Sequence, residues 1–200
     1  MDILNEAKKN FDYMVRIRRH MHEYPENSGV EYETVKYIAS ELDALGIEYV
    51  VVPEGGIIGQ IHGGKPGKTV LLRADMDALP IKESKTNLTK EKVCISKNDG
   101  ISHACGHDAH TAVGLTLAHW INDHKDKFCG KIKIIFQPAE EGVRGARAMT
   151  AAGIVDDVDY FVGGHIGGVL KLGEIAIMDG GFLASSKFDV SIKGRAAHAG

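Results

Sequence analysis

The stretch Ser102–His110 offers three imidazoles, one thiol and one carboxylate, with Gly106 between Cys105 and His107. Soft and borderline donors at this density suit a transition metal such as zinc, manganese or cobalt. Apolar residues recur with helical spacing from Ala109 to about Trp120, so the cluster is predicted to lie where a loop enters a helix. Taken alone, a histidine-rich loop around a small buried cysteine is an equally good interpretation.

Two further stretches supply groups that this cluster lacks. A predicted strand at Lys131–Gln137 runs into the adjacent carboxylates Glu140 and Glu141. Such neighbours repel each other unless a cation or a proton holds them together, and on a turning backbone one can bind a metal while the other addresses a water molecule. A strand at Asp159–Val162 leads to His165. The structural alternatives are a solvated turn and a histidine without a chemical role.

A third strand adds two acidic residues near the same predicted edge. Thr69–Ala74 contains the continuous apolar run Val70–Leu72, typical of a strand buried on both faces, and it is followed by Asp75 and Asp77. These aspartates either begin a solvated loop or orient a ligating imidazole. The clusters are expected at the C-terminal ends of predicted strands or in the loops that follow, at the edge where open α/β sheets place their sites.

Hydrophobic periodicity predicts the elements that must position these groups. Amphipathic helices are expected at Ile3–His22 and at about Tyr32–Leu42, and a short helix at about Ala146–Ala152. Besides the strands already named, strands are expected at Ile47–Val52, Ile57–His62, Gly173–Met178 and Lys187–Lys193. The lysine-rich segment from residue 82 to residue 98 is interpreted as an exposed excursion.

Composition excludes several classes of protein. With 200 residues, 44% hydrophobic and 26% charged, the chain is typical of globular proteins with a sizeable core. A formal net charge of −3 gives no reason to expect nucleic acid or an anionic membrane as a partner. There is no apolar run long enough to span a membrane and no secretory signal pattern at the N-terminus. Three cysteines do not make a disulfide framework, so a reducing cytoplasm is expected.

Four motifs in order carry a family resemblance: Arg18–His20 with Pro25–Glu26, Leu72–Pro80, His103–Asp108 and Phe136–Gly142. Together they resemble the metallo-amidohydrolase family of aminoacylases, hippurate hydrolases, indole-acetyl-amino-acid hydrolases and glutamate carboxypeptidases. Within that family, the residues that follow Gly142 are most similar to the A-subunit type of aminobenzoyl-glutamate hydrolase.

The resemblance implies a fold and a domain organisation. The expected fold is α/β, a mixed and largely parallel sheet flanked by helices, as in zinc-exopeptidase-like catalytic domains. Residues 1–180 would form the N-terminal part of that domain, and residues 181–200 would begin a small α+β lid or dimerisation domain. The sequence stops just inside the lid, so the closing strands and a last histidine ligand are expected in a longer protein.

The resemblance also assigns roles to individual residues. Four positions match metal ligands of the family: Cys105, His107, Glu141 and His165. Glu140 matches the general base, and Asp77 an acidic position near the metal. Asp75 stands where relatives with a different ligand set carry a histidine. His198 matches a lid histidine that stabilises the tetrahedral intermediate, often across a dimer.

The implied activity is hydrolysis of the amide bond of an N-acyl or N-aroyl amino acid, such as p-aminobenzoyl-glutamate, with one or two divalent ions, manganese or zinc. A homodimer, or a hetero-oligomer with a related subunit through the lid, is the expected assembly. Alternatives within the family are an N-acetyl-amino-acid or diaminopimelate deacetylase and an indole-acetyl-amino-acid-type hydrolase. Two other classes are a non-catalytic metal-binding relative and a purely structural α/β module, which bound metal and substrate hydrolysis would distinguish.

Overall fold

The computed structural model describes residues 2–53, 55–142, 145–168, 170–177, 188, 190, 191 and 193–195. Contacts between Cα atoms divide the chain into two units, Met1–Ile166 and Gly167–Gly200. Every helix and strand found in the described residues lies in the first unit. The domain boundary predicted between residues 180 and 181 lies outside the described residues and stays a prediction.

The helices of the first unit are α1 Ile3–Lys9, α2 Phe11–Glu23, α3 Tyr32–Ala44, α4 His107–Asp123 and α5 Gly145–Ala151, with a 3-10 turn at Lys125–Lys127. The strands are β1 Glu48–Val51, β2 Ile57–His62, β3 Lys65–Asp75, β4 Thr86–Asn87, β5 Lys90–Glu91, β6 Cys129–Gln137 and β7 Tyr160–Gly163. No helix in the described part of the chain combines the length and the apolarity needed to cross a membrane.

Five of the strands form one sheet in the order β1-β2-β6-β3-β7. β2 pairs antiparallel with β1 and with β6, whereas β3 pairs in parallel with β6 and with β7. All of these strands except β2 therefore run in the same direction, and the predicted mixed, largely parallel sheet is confirmed. The remaining two strands form a short hairpin inside the lysine-rich segment.

Side chains alternate across the sheet between two apolar cores. On β6, Ile134 and Phe136 belong to the larger core, which α2, α3 and α4 complete. Ile135, between them, belongs to a smaller core that contains Met149 of α5. Because a shift of one residue would exchange the two sets of side chains, this alternation fixes the register of the central strands.

Two helix boundaries differ from the predicted ones. The helix expected at Ile3–His22 is divided at Asn10, whose side-chain Nδ2 donates a hydrogen bond of 3.0 Å to the carbonyl oxygen of Glu6. A side chain that bonds to the backbone in this way competes with the helical hydrogen bonds. The helix expected from Ala109 begins at His107, so the imidazole lies in the first turn and not on the preceding loop.

The strand predicted at Gly173–Met178 is absent from its described residues, 173–177. Ile175 and Ile177 are 93% and 96% exposed, and the backbone nearby forms a turn in which Glu174 N–H donates to the Lys171 carbonyl. Alternating apolar residues form a strand only where a neighbour pairs with them and a core covers one face. The strand expected at Lys187–Lys193 falls largely outside the described residues.

Close packing of α4 on the sheet leads to a stability prediction. A Cβ atom at Gly114 would lie 2.9 Å from Cε1 of the buried Phe136 and 3.2 Å from Cβ of Ala74. Gly114→Ala is therefore expected to lower the free energy of unfolding by about 1–3 kcal/mol, although alanine has the higher helix propensity. Denaturant titration measures the change. The matched control is Val113→Ala, at a neighbouring position 44% exposed, and a Gly114→Ala protein more stable than the parent would contradict the prediction.

Candidate metal centre

Three neighbouring parallel strands deliver the candidate residues to one edge of the sheet. β3 ends at Asp75, β6 leads to Glu140 and Glu141, and β7 leads to His165. His107 is added by the N-terminus of α4, which packs on the sheet beside them. The carboxyl ends of parallel strands meet at the same edge, so the topology itself collects these groups.

The structure brings the four predicted ligands together. The possible ligand atoms of Cys105, His107 and His165 lie within 4.8 Å of one another, and so do those of His107, Glu140 and Glu141. Sγ of Cys105 is 3.5 Å from Nε2 of His165. His107 belongs to both groups and is completely buried, so it lies at the centre of the cluster.

The orientation of His107 leaves one nitrogen free to bind a metal. Nδ1 donates to Asp77 Oδ1 at 3.0 Å, so Nε2 carries the lone pair. Nε2 lies 3.8 Å from Oε1 of Glu141, and both atoms are buried without a hydrogen-bond partner among the described residues. Two buried acceptors that face each other are unfavourable unless a cation lies between them, so the residues fit a divalent metal.

The charges around the cluster favour a cation as well. Burial, followed by the Glu141 carboxylate, raises the pKa of the Cys105 thiol to about 12. Burial opposes protonation of His107, but its hydrogen bond to Asp77 and the charges of Asp75 and Glu141 raise its pKa. A thiol in such acidic surroundings becomes a thiolate ligand only when a bound cation compensates the charge.

The Asp77 carboxylate lies against the imidazole of His107, next to the predicted ligands. Besides the imidazole of His107, its carboxylate accepts hydrogen bonds from the Ser28 hydroxyl and from Glu141 N–H, the latter at 2.9 Å. Burial works against its ionisation, but these bonds outweigh it and lower the pKa of Asp77 to about 2. Asp77 is therefore ionised throughout the neutral range and fixes the tautomer of His107.

Asp75 serves a different imidazole from the one at the centre. Its Oδ1 accepts a hydrogen bond of 2.5 Å from Nδ1 of His110 and lies 3.8 Å from Nε2 of His107. Its Oδ2 is 2.9 Å from a terminal guanidinium nitrogen of Arg73, and Nε of the same arginine donates to Oε1 of Gln137 at 2.7 Å. His110 was one of the imidazoles in the opening stretch, but the sequence assigned it no role.

Sequence reasoning missed the loop between α2 and α3 as part of the site. Ser28 of this loop contacts Asp77, and the buried carboxylate of Glu31 accepts a hydrogen bond of 2.8 Å from Ala139 N–H. Ala139 has a φ of +52°, rare for a residue with a side chain, and it directly precedes Glu140. Glu31 therefore holds the turn that presents both glutamates. The only sequence signal was the neighbouring Pro25–Glu26 motif.

Glu140, Glu141 and His165 differ in how far their side chains are exposed to solvent. Glu140 and His165 are exposed, whereas Glu141 is half-buried, so Glu140 is the glutamate that an approaching molecule can reach. Nδ1 of His165 donates to the carbonyl oxygen of Ile166 at 2.5 Å, which leaves Nε2 toward Cys105. His198 lies outside the described residues.

Fold and site together define an α/β protein with a candidate metal centre of sulfur, nitrogen and oxygen donors at the carboxyl edge of its sheet. Residues 71–199 match the family described as Peptidase family M20/M25/M40. The chain belongs to this family of metallopeptidases and amidohydrolases, and the resemblance noted in its motifs is confirmed.

Individual relatives agree with this assignment. Indole-3-acetyl-aspartic acid hydrolase of Enterobacter agglomerans is 38% identical over 243 residues, which cover 100% of this chain and 56% of the relative. A p-aminobenzoyl-glutamate hydrolase subunit of Escherichia coli is 38% identical over 225 residues, covering 92% of this chain and 52% of the relative. The chain thus spans about half the length of these relatives.

A solved structure matches in three dimensions too. A Bacillus subtilis protein, described as a dinuclear metal-binding peptidase of the M20 family, superimposes with a TM-score of 0.77 and 39% identity. The match covers 83% of this chain and 46% of that chain.

The contact between Asp77 and His107 leads to a prediction about metal affinity. Asp77→Asn keeps the size of the side chain but removes its charge and one acceptor, so affinity for Zn²⁺ or Mn²⁺ should fall about 10–100-fold. Competition with a chromophoric chelator measures the affinity. Asp99→Asn is the matched control, because the Asp99 side chain is 85% exposed and pairs only with exposed Lys82 among the described residues. Equal affinities in the two variants would show that Asp77 does not support the centre.

Proposed function

We propose that the protein is a metal-dependent amidohydrolase that cleaves the amide bond of an N-acyl or N-aroyl amino acid, such as p-aminobenzoyl-glutamate. The observation that carries the proposal is the buried Nε2 of His107 facing Oε1 of Glu141, with the exposed carboxylate of Glu140 next in the chain. A site built only to bind metal has no use for that second carboxylate.

The proposed ligands of one or two divalent ions are Cys105, His107, Glu141 and His165. Manganese and zinc are the leading candidates, because thiolate, imidazole and carboxylate donors occur together in this set. When bound, the cation polarises the amide carbonyl and lowers the pKa of water toward about 7. Asp77 holds the proton of the neutral imidazole on Nδ1 of His107 and aims Nε2 into the cluster, where the cation would take the place of a second proton.

Glu140 is the proposed general base. Its carboxylate accepts the proton of the attacking water and then delivers it to the leaving amine, which must depart protonated. The Ala139 turn, held by Glu31, positions Glu140 for both transfers. His198 is proposed to donate a hydrogen bond to the oxyanion of the tetrahedral intermediate, reaching the site from the lid, which begins at about residue 181.

Relatives support the choice of substrate class. The names of two of them describe hydrolysis of an aromatic acyl group from aspartate or glutamate. An indole-acetyl-amino-acid-type hydrolase and an N-acetyl-amino-acid or diaminopimelate deacetylase are the alternatives within the family, and a non-catalytic metal-binding relative is the alternative outside catalysis. Hydrolysis of p-aminobenzoyl-glutamate, indole-3-acetyl-aspartate and an N-acetyl amino acid by the metal-loaded, full-length protein distinguishes all of these.

The proposed partners are the small substrate and a second protein chain, either identical or related, bound through the lid. The word "subunit" in the name of the Escherichia coli relative supports an assembly. Three free thiols at Cys94, Cys105 and Cys129 are in accord with the cytoplasmic location expected from the sequence.

Replacing each of the two glutamates by glutamine tests which one is the general base and which one is a metal ligand. Glu140→Gln cannot accept a proton, so turnover in the full-length protein should fall about 10²–10⁴-fold while metal content stays unchanged. Glu141→Gln is the matched neighbour and should lose metal. Substrate hydrolysis and metal analysis of both variants measure the outcome. Retained turnover in Glu140→Gln, or metal lost from that variant alone, would contradict the assignment.

His198→Ala tests the proposed lid contact. Loss of one oxyanion donor should lower turnover about 10²–10³-fold, with metal content intact because its target is the intermediate and not the cation. If His198 acts across a dimer, mixing this variant with Glu140→Gln should restore activity in hybrid dimers. Absence of recovery after proven subunit exchange would remove the cross-subunit role, and normal turnover in His198→Ala would remove the catalytic role.

A further inference from the structure

The third imidazole of the opening stretch, His110, lies close enough to be mistaken for a ligand. It is only 6% exposed, and its ring stands edge-on to that of His165 with 4.5 Å between centroids. One of its nitrogens also lies within 4.8 Å of a possible ligand atom of Asp75 and of His107. Proximity alone would therefore add it to the ligand set.

Both nitrogens of His110 are already engaged by other groups. Nε2 accepts a hydrogen bond of 2.9 Å from the backbone N–H of Ile166, and Nδ1 is 2.5 Å from Oδ1 of Asp75. An imidazole nitrogen that accepts an N–H cannot carry a proton, so the proton lies on Nδ1 and is donated to Asp75. Binding a metal through either nitrogen would break one of these bonds.

We infer that His110 is a positioning residue, which holds the backbone beside His165 so that the His165 ring faces the metal centre. The inference rests on the proposed function, in which His165 is a ligand. His165 is itself exposed and follows the edge strand β7, so its place in the cluster depends on how the adjoining backbone is held.

The hydrogen bond between His110 and the Ile166 amide is connected to the other elements of the site. Gln137 at the end of β6 bonds to Arg73, which pairs with Asp75 at the end of β3, and Asp75 bonds to His110 in α4. His110 then receives the amide of Ile166, three residues beyond β7. A chain of hydrogen bonds and one ion pair thus joins β3 to β6, α4 and the segment after β7, near which the proposed ligands and base lie.

A second contact holds the loop around Ile166 in place. Gly106 has a φ of +91°, and a Cβ atom there would lie only 2.4 Å from Cδ1 of Ile166. The side chain of Ile166 therefore rests against the glycine between Cys105 and His107, while its amide is held by His110. Together the two contacts explain why His165 reaches Cys105 from a loop that is otherwise exposed.

Two variants of His110 separate the possible roles in the full-length protein. His110→Gln places an acceptor near the Nε2 position and should keep the bond from Ile166. His110→Asn places a donor near the Nδ1 position and should keep only the bond to Asp75. We expect His110→Gln to resemble the parent. In His110→Asn, exchange of the Ile166 amide in the metal-free protein should become roughly fivefold faster, and Co²⁺ affinity should fall about 10–100-fold.

Other outcomes would overturn the inference. An equal loss of Co²⁺ affinity in both variants, with Ile166 exchange unchanged, would identify His110 as a ligand. A normal His110→Asn beside an impaired His110→Gln would show that His110 acts through Asp75. Should the variants not fold, scalar coupling between bound cadmium and the ring nitrogens of the parent protein decides: coupling to His107 and His165 but not to His110 is expected, and coupling to His110 refutes the inference.

A failure of the proposed function can be distinguished from a failure of this inference. His165→Ala with unchanged Co²⁺ affinity would remove His165 from the ligand set. Hydrogen exchange of the Ile166 amide in the metal-free variants of His110 would still report whether His110 holds that amide.

Discussion

The hydrogen bond from Nδ1 of His107 to Asp77 is the interaction on which the rest of the site depends. It decides which imidazole nitrogen faces the cluster, and it is completely buried, so its geometry is protected from water. The same carboxylate receives Ser28 from the loop after α2 and Glu141 N–H from the loop after β6. One charged group therefore keeps three separate parts of the chain in place around the candidate metal centre.

Asp108, the residue after His107, points in another direction and joins α4 to α2. Asp108 pairs with Nδ1 of His22 at 2.7 Å and with Nε of Arg18 at 2.9 Å, and His22 also contacts Glu83 at 2.9 Å. Successive residues in the first turn of a helix point in different directions. His107 thus contributes to the site, while Asp108 holds the helix in place. Because Glu83 contacts His22, the lysine-rich segment supports the same contact.

Most of the fold could be predicted because its elements have strong periodic signals. The apolar runs of β2, β3 and β6 and the stripes of α2 to α4 pack in the two cores, and the boundaries differ by few residues. The division of the first helix at Asn10 has a local cause, whereas the failed strand prediction does not. Alternation at Gly173–Met178 resembles that of a strand, but its described residues have no neighbour to pair with and no core to cover them.

The sequence by itself determined which chemical groups are available, since Cys105, His107, Glu140, Glu141 and His165 lie in short motifs beside predictable strands. Only the tertiary structure decided how they are used. Ser28 and Glu31 support the site from a loop far from those motifs, and Ile166 supports it through its backbone amide, and pattern reasoning cannot predict such contacts. His110 shows the limit most clearly. A sequence gives every histidine the same two nitrogens, and only the neighbours brought by folding decide whether a lone pair meets a metal or an amide.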